Sequence, residues 1–333
     1  MCLYPKLIEN PKYRANKKNG GKIPPITDER VRLVPIGCGK CMECMKKRAS
    51  QWRTRLHEEI KTDKRGYFVT LTISNEAFNH LSKEVELKGY DLDNKVATKA
   101  TKYFLERWRK KHGKSVKHWL VTELGGNGTE RIHIHGIIWT DYKEDIEDRW
   151  NAGKVENGRI HIGEYVNEKT INYIVKYLTK TDVKHANYKP KILTSRGIGF
   201  NYVGSRNHEN NYYKENETNT KYRLNNGQQI ELPIYYKNYT YTDEQKEELW
   251  LKMLDKKERY VLGERISVKE SEKRYEARRE KARRKNDRLK FGNNKIDWNK
   301  KKYEMQRKWL IHQAIKATST AKEIKEIKKI GKN

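Results

Sequence analysis

Two histidines separated by one residue form the first group in this sequence that could do chemistry. His133 and His135 lie in the run from Arg131 to Trp139, where isoleucine and histidine alternate in a pattern that predicts a strand. Because side chains alternate across a strand, both imidazoles are expected on the same face. Two imidazoles beside a carboxylate can bind a divalent cation and leave coordination positions open for substrate oxygens. A half-exposed polar strand face is the alternative interpretation of the pair.

A carboxylate that could complete this cation site stands at the end of the preceding predicted strand. That strand covers Lys117 to Glu123, and the sequence Gly-Gly-Asn-Gly at residues 125–128 predicts a turn after it. An antiparallel hairpin with this turn returns the chain so that Glu123 lies beside the histidine pair. Glu130 is the alternative ligand, and it lies in the turn rather than on a strand face.

A pair of tyrosines supplies candidate nucleophiles. Tyr173 and Tyr177 are four residues apart in a helix predicted from Asn167, its expected N-cap, to Lys180, so they share one helical face. Lys176 and Lys180 each follow a tyrosine by three residues. A tyrosine phenol can attack a phosphodiester if a metal ion polarises the phosphate and a lysine offsets its charge. A packed aromatic stripe is the alternative reading of these tyrosines.

The remaining patterns predict an α+β domain that positions these residues. Further strands and helices are predicted at Tyr67–Ser74, Arg159–Val166, Ala49–Lys61, 92–112 and 143–151. This order favours an antiparallel β-sheet with flanking helices over residues 46–205. Residues 1–45 are expected to be irregular and to carry the edge of a cysteine cluster. Residues 206–333 are expected to form a Tyr- and Asn-rich connector and a basic, largely helical C-terminal region, broken near residues 291–294.

The four cysteines of the chain are candidate ligands of a structural metal ion. Cys38, Cys41 and Cys44 are spaced C-x2-C-x2-C, and Cys2 is the fourth. Clustered thiols in a reducing compartment bind metal more often than they pair as disulfides. Four thiolates can close a tetrahedral zinc site, whereas close cysteine triplets also bind iron–sulfur clusters. Free thiols are the third alternative, and the membership of Cys2 depends on the fold.

The charge of the chain predicts an anionic partner. Its 333 residues include 74 lysines and arginines against 44 aspartates and glutamates, which gives a net charge of +30. Such an excess attracts polyanions, and nucleic acid is the expected partner. A dense basic run in the C-terminal region could neutralise phosphates in a sequence-independent manner, unless it is simply a solvated helix face. It comprises Lys281, Arg283, Arg284, Lys285 and Arg288.

The same sequence disfavours several other classes of protein. No apolar run approaches the ~20 residues of a transmembrane helix, so no membrane partner is expected. The N-terminus lacks the apolar core and the small-residue cleavage site of a secretory signal. No G-x4-G-K-[ST] phosphate-binding loop occurs, so DNA unwinding is expected to depend on a host helicase.

Three motifs taken together resemble those of the HUH rolling-circle replication initiators. They are Phe-Val-Thr-Leu-Thr at 68–72, His-Ile-His at 133–135 and Tyr-x-x-Lys-Tyr-x-x-Lys at 173–180, in the order of that superfamily. The doubled tyrosine resembles the two-tyrosine subgroup of small single-stranded DNA phages. The N-terminal Met-Cys-Leu-Tyr-Pro, the Gly-Lys-Cys-x-Glu-Cys segment and Ser-Arg-Gly-Ile-Gly-Phe at 195–200 resemble the replication initiators of gokushovirus-type microviruses.

The resemblance implies an activity and roles for the motif residues. Proteins of this type nick one strand at a replication origin, form a 5′-phosphotyrosine adduct with a free 3′-OH, and later transfer and join the strand. Carried over by motif, His133 and His135 would bind Mg²⁺ or Mn²⁺, and Glu123 would be the third ligand. Tyr173 and Tyr177 would be the nucleophiles. Lys176 and Lys180 would assist at the phosphate or the metal.

The resemblance also implies a fold and a setting. The histidine strand should be central in an antiparallel sheet, with the tyrosine helix lying over it. Single-stranded origin DNA, a host polymerase and a host helicase are the implied partners, in the cytoplasm of a bacterial host cell. Two other classes remain open. A non-catalytic basic nucleic-acid-binding protein would form no covalent adduct, and an HUH transposase or relaxase would act on hairpin ends or on a transfer origin.

Overall fold

The protein forms two compact units. The computed structural model describes residues 2–126, 130–180, 185, 188–269, 272–292 and 298–330. One unit consists of residues 45–240, and the other combines residues 1–44 with residues 241–333. Every helix in the described residues is too short or too polar to cross a lipid bilayer.

The N-terminal segment contains one strand pair. Strand β1 (Lys6–Glu9) pairs antiparallel with β2 (Leu33–Ile36), and Lys6 lies opposite Ile36. The rest of this segment consists of loops and single-turn 3₁₀ helices. The sequence predicted an irregular segment because the two strands are short and far apart in the chain, so no local pattern signals their pairing.

The unit of residues 45–240 is built around one sheet. The sheet has the strand order β6-β3-β5-β4-β7, and every neighbouring pair is antiparallel. This confirms the predicted α+β class, and the strand that carries both histidines, β5, is the central one. The elements that follow β2 up to residue 240 are α1 (Met42–Thr62), β3 (Gly66–Thr72), α2 (Asn75–Ser82), α3 (Gly89–His112), β4 (Lys117–Leu124), β5 (Ile132–Trp139), α4 (Glu144–Asn151), β6 (Ile160–Ile162), α5 (Glu168–Lys176), β7 (Ile192–Thr194), α6 (Arg206–Glu209), β8 (Lys221–Arg223), β9 (Gln229–Glu231) and α7 (Ile234–Thr240).

Helices cover both faces of the sheet. On one face, Leu71, Ile134 and Ile138 pack with residues of α2, α3 and α4, including Phe104 and Trp150. The other face packs against α1 and α5. Its contributing side chains are Trp119, Val121, Ile137 and Trp139 from the sheet, Leu56 and Ile60 from α1, and Ile171, Ile174 and Val175 from α5. Since His133 and His135 alternate in phase with Ile137, they lie on this second face.

Several element bounds differ from those predicted. Helix α1 begins at Met42, seven residues before the predicted start at Ala49. Strand β6 spans only Ile160–Ile162, because that is the stretch paired with β3. Helix α5 is capped by the Asn167 side chain, as predicted, but it ends at Lys176 rather than at Lys180. The turn predicted at residues 125–128 falls partly on residues 127 and 128, which lie outside the described residues.

The C-terminal part of the other unit combines helices with a hairpin. Its elements are α8 (Asp243–Asp255), β10 (Glu258–Val261), β11 (Glu264–Ser267), α9 (Lys273–Arg288) and α10 (Lys300–Ile330). The hairpin was not predicted, because its charged composition resembles that of the flanking helices. Leu262 and Gly263, both with positive φ, form its two-residue turn. The predicted break is present, since α9 ends before Phe291 and α10 starts at Lys300; residues 293 and 294 lie outside the described residues.

A buried carboxylate joins the end of α1 to β4. Asp63 is only 8% exposed, and it accepts hydrogen bonds from Arg65 Nη2 and Lys117 Nζ, both at 2.9 Å. Burial acts to raise the pKa of Asp63, but the hydrogen bonds from these two cations outweigh it and hold the pKa below its usual range. Folding therefore stabilises the ionised form of Asp63.

We expect Asp63→Asn to destabilise the protein by about 2 kcal/mol at neutral pH, because it leaves two charged donors with a weaker acceptor. A depressed native pKa contributes stability above the unfolded-state value of about 3.9, and this contribution is lost as the pH falls through the native pKa. The gap between variant and wild type should therefore narrow in acid. Urea unfolding at several pH values measures it. Asp141→Asn is the matched control, since Asp141 pairs with the same Arg65 at 2.8 Å but its side chain is 62% exposed. An equal effect of both substitutions would contradict the prediction.

Candidate functional site

The sheet brings the predicted site residues to one patch beneath α5. Glu123 on β4 lies directly opposite His133 on β5. Thr70 on β3 lies directly opposite His135. The hairpin of β4 and β5 therefore sets Glu123 beside the histidine pair, as the sequence predicted.

A glycine between the two strands sets their close approach next to this patch. Gly136 follows His135 on β5, and a Cβ atom built on it would lie 2.1 Å from the carbonyl oxygen of Trp119 and 2.7 Å from Cα of Leu120. Both atoms belong to the backbone of β4, so neither can move aside without moving the strand. A larger residue here would push β4 away from β5 and displace Glu123 from the histidines.

His135 is the most highly connected residue of the patch. Its Nε2 atom lies 2.7 Å from Oε2 of Glu123, and its Nδ1 atom lies 3.1 Å from Oγ1 of Thr70. The Tyr177 ring stacks on the imidazole, with ring centroids 4.2 Å apart and planes inclined by 9°. A partner on each ring nitrogen and a ring on one face leave the imidazole a single orientation.

His133 is held in the tautomer that suits a metal ligand. Its Nδ1 atom lies 2.8 Å from the backbone carbonyl oxygen of Arg131. A carbonyl oxygen only accepts, so Nδ1 carries the proton and Nε2 keeps its lone pair. Burial lowers the pKa of His133, which favours the neutral imidazole. The ring lies 6.3 Å from that of His135 and is nearly parallel to it.

Glu123 is ionised and shared between two partners. Besides His135, its carboxylate binds the ammonium group of Lys180 through Oε1. Burial acts to raise the pKa of Glu123, but the hydrogen bonds from His135 and Lys180 bring it below its usual range. The patch therefore holds a negative charge at the position where a cation ligand is needed.

The two tyrosines meet over the histidines. The Tyr177 hydroxyl donates a hydrogen bond of 2.8 Å to the Tyr173 hydroxyl. Tyr173 lies at 6.1 Å from Phe68 in an edge-to-face contact, and its side chain is 51% exposed. Burial raises the pKa of Tyr177, and the hydrogen bond to Tyr173 adds to the effect. One hydroxyl pair is thus presented at the surface directly beside the Glu123–His135 pair.

The other two predicted residues take different positions. Lys176 is exposed on α5, and in the part of the chain that the structure describes its ammonium group forms no hydrogen bond or ion pair. Glu130, the alternative carboxylate, lies 3.7 Å from Nε2 of His185 and its side chain is 55% exposed. Glu130 therefore lies apart from the histidine pair, and the geometry favours Glu123.

The donor types at this patch fit a divalent cation. Two imidazole nitrogens and one carboxylate match the ligand preferences of Mn²⁺, and Mg²⁺ shares the carboxylate preference. The unprotonated Nε2 of His133 is an available donor. Among the described residues, only the four cysteines bring three or more donor atoms within 4.8 Å of one another. At the histidine patch, Glu123 is drawn instead towards His135 and Lys180.

Three residues at the patch were not singled out from the sequence. Thr70 orients His135, and Phe68 packs against both His135 and Tyr173. His161, on β6, lies opposite Thr70 and 6.4 Å from the Phe68 ring. The alternation of Phe68, Thr70 and Thr72 in the first motif was a usable signal for a shared face. His161 gave only a weak one, since β6 is three residues long.

The four cysteines form a cluster that can hold a metal ion. Their sulfur atoms all lie within 4.8 Å of one another, with Cys2 and Cys41 3.9 Å apart and Cys38 and Cys44 4.0 Å apart. Cys2 therefore joins the other three despite its distance in the sequence. All four belong to the unit of residues 1–44 and 241–333.

The basic run of α9 divides between the surface and the core. Lys281, Arg284, Lys285 and Arg288 are exposed and line a groove with the turn of the β10–β11 hairpin. Arg283 is buried instead. Its Nε donates to the carbonyl oxygen of Leu3 at 3.1 Å, and its guanidinium lies 4.8 Å from the Trp298 ring. Arg283 thus stabilises its own unit and is not presented to a ligand.

Comparison with known proteins agrees with the class that the fold and the patch define, a replication protein with an α+β catalytic-type domain. Residues 66–182 match the family model described as replication-associated protein ORF2. The match runs from β3 past α5, and so covers all three motifs. It confirms the resemblance to replication initiators of the microvirus type for this part of the chain. No curated protein and no solved structure matched the chain.

Proposed function

We propose that this protein initiates rolling-circle replication by nicking one DNA strand at an origin through tyrosine attack. The observation that carries the proposal is the contact of the hydroxyl-bonded Tyr173–Tyr177 pair with the Glu123–His135 pair. Nucleophile, candidate metal ligands and a lysine lie together on one exposed patch. The family match over residues 66–182 supports a replication role for this domain.

The proposed reaction exchanges one phosphodiester for another. A tyrosine phenol oxygen bonds to the scissile phosphorus and gives up its proton. The bond from phosphorus to the 3′-oxygen breaks, and that oxygen gains a proton to become a free 3′-OH. The 5′ side of the break remains attached to the protein as a phosphotyrosine. The number of phosphodiester bonds and protons is unchanged, so no energy source is consumed and the step can run backwards to join strands.

The residues divide the work of this step. A divalent cation, Mg²⁺ or Mn²⁺, would polarise the phosphate and offset the charge on its oxygens. His133, His135 and Glu123 would hold it, with Thr70 and the Arg131 carbonyl keeping the imidazoles in ligating orientations. Lys180 moves between the Glu123 carboxylate and the phosphate oxygens. Exposed Lys176 is free to approach the DNA backbone on the same helix.

A second tyrosine allows a second exchange. Once the first tyrosine is esterified, the other hydroxyl lies within reach of the same patch, since the two oxygens are 2.8 Å apart. It can cut the regenerated origin while the displaced 3′-OH attacks the first phosphotyrosine and closes a circle. A host polymerase would extend the free 3′-OH, a host helicase would unwind the duplex, and the bacterial cytoplasm is the proposed setting.

The test is a denaturing gel of the full-length protein with single-stranded oligonucleotides tiling its source genome, with Mg²⁺ or Mn²⁺. The proposal expects a metal-dependent protein–DNA adduct on the origin tile and a released 3′-OH fragment that a polymerase extends. Tyr173→Phe with Tyr177→Phe should lose the adduct. Salt-sensitive binding without an adduct on any tile would favour the non-catalytic binder. Cleavage only of hairpin ends or a transfer origin would favour a transposase or relaxase.

The exposed basic residues of α9 are proposed to bind the DNA backbone. Alanine at Lys281, Arg284, Lys285 and Arg288 should weaken single-strand binding and flatten its salt dependence by roughly 3 in the log–log slope, because each phosphate contact contributes about 0.7. Fluorescence anisotropy of a labelled oligonucleotide over a salt series measures this. The control removes four exposed cations elsewhere, by alanine at Lys95, Arg109, Lys110 and Lys114. Equal slopes for both variants would refute a specific role of α9.

A further inference from the structure

The spacing of the four cysteine sulfurs matches a single metal ion. A tetrahedral ion with metal–sulfur bonds of about 2.3 Å places its sulfurs about 3.8 Å apart. The Cys2–Cys41 and Cys38–Cys44 separations are 3.9 and 4.0 Å. A disulfide would need about 2.05 Å. A cluster of several irons places a different iron on each thiolate and so spreads the sulfurs farther than the 4.8 Å limit found here.

Backbone amides are directed at these sulfurs. The N–H groups of Lys40 and Cys41 lie 3.4 and 3.3 Å from Sγ of Cys38. The N–H groups of Cys38 and Tyr4 lie 3.2 and 3.3 Å from Sγ of Cys2. Such donors favour the thiolate over the neutral thiol, which is a weak acceptor. Several amides converging on sulfur are expected where the sulfur carries the charge of a metal ligand.

The backbone around the cluster is shaped for this geometry. Gly39 has φ of +71°, which allows the tight turn that brings Cys41 back towards Cys38. Gly37 lies so close to Cys44 that an added Cβ would be 3.1 Å from its sulfur. Both glycines therefore leave room or conformational freedom where a side chain would interfere with the sulfurs.

The cluster lies at the junction of three chain segments within one unit. Leu3, next to Cys2, is 1% exposed, and its carbonyl oxygen accepts hydrogen bonds from Arg279 and Arg283 of α9 at 3.3 and 3.1 Å. The amide of Met42, next to Cys41, donates to the Asn286 side chain of α9 at 2.9 Å. An ion at the cluster would therefore fix the two chain segments on which the inner face of α9 rests.

We propose that Cys2, Cys38, Cys41 and Cys44 bind one Zn²⁺, and that this ion fastens the N-terminal residues and the first turn of α1 to α9. The ion is structural, because four thiolates leave no open position for substrate. It supports the outer, basic face of α9, and only this last consequence rests on the proposed function. Zinc is favoured over a redox metal because a closed tetrathiolate in the core of the unit does no chemistry of its own.

The first test is the metal content of full-length protein purified under reducing conditions. Wild type should carry about one zinc per chain and no acid-labile sulfide. Cys38→Ser and Cys41→Ser should carry almost none. Lys22→Ser, an exposed position in the same segment, should keep the full content. Wild type without zinc, or with iron in its place, would overturn the proposal, and this readout needs no folded variant.

The second test separates a structural ion from an adventitious one. Hydrogen exchange of wild type is compared before and after removal of zinc by a selective chelator. Residues 2–9 and 273–288 should lose protection, whereas the strands from β3 to β5 should keep theirs. Unchanged protection at residues 273–288 would overturn the structural role. A chain that forms the DNA adduct but holds no zinc refutes this proposal alone, and a chain that holds zinc but forms no adduct refutes only the proposed nicking.

Discussion

Replacement of Tyr173 by phenylalanine is expected to reduce first-strand cleavage by about 10³-fold or more, to the level of the double variant. Tyr173 is 51% exposed, and its oxygen accepts the hydrogen bond that Tyr177 donates. That bond would stabilise the Tyr173 oxygen as its proton leaves and charge develops on it. The Tyr177 hydroxyl, half-buried against His135, is oriented to support this role. Tyr173 is therefore the expected first nucleophile.

Tyr177→Phe is the matched comparison, since it also removes one hydroxyl from the same pair. It should lower the rate of the first cleavage by only about tenfold, the worth of one hydrogen bond to the nucleophile. It should abolish the second exchange, so that nicked product accumulates without circles. Single-turnover assays that follow the adduct and the joined product measure both steps. A larger loss at the first step for Tyr177→Phe than for Tyr173→Phe would reverse the assignment.

Glu123→Gln is expected to lower adduct formation by about 10²–10³-fold, with a weaker dependence on Mn²⁺. The substitution keeps the shape of the side chain but removes the charge that binds Lys180 and faces His135. Hydrogen bonds from these partners keep the pKa of Glu123 low, so the wild-type residue is ionised at neutral pH. Adduct yield against Mn²⁺ concentration measures the effect.

Glu130→Gln separates this effect from a general loss of charge. Glu130 was the other carboxylate indicated by the sequence, and it lies on His185 rather than on the histidine pair. Its replacement should leave both the yield and the Mn²⁺ dependence close to wild type. Thermal unfolding of both variants establishes that they are folded. Equal loss in the two variants, or none in Glu123→Gln, would exclude Glu123 as a metal ligand.

Much of the nuclease-like domain followed from local patterns. The alternation around His133 and His135 predicted a strand, and the capping residue Asn167 marked the start of the tyrosine helix. The hairpin after Glu123 made its approach to the histidines predictable. These signals are strong because strand period, helix period and turn residues act over a few neighbouring positions.

Other features depended on residues far apart in the chain. The pairing of β1 with β2, the orientation of His135 by Thr70, and the position of His161 beside that pair are contacts across the sheet. The hairpin of β10 and β11 lay within a charged region whose composition indicated only helix. Periodicity cannot report a partner strand, so none of these could be read from a single window of sequence.

The sequence by itself determined the identity and order of the chemical groups: the histidine pair, the paired tyrosines, the cysteine spacing and the excess of positive charge. Only the tertiary structure decided between Glu123 and Glu130, joined Cys2 to the other cysteines, and turned Arg283 inward while its neighbours on α9 stayed exposed. The physical reason is common to all three. Each choice rests on a distance between segments that are separate in the chain, and such a distance is fixed by packing of the whole unit rather than by any local preference.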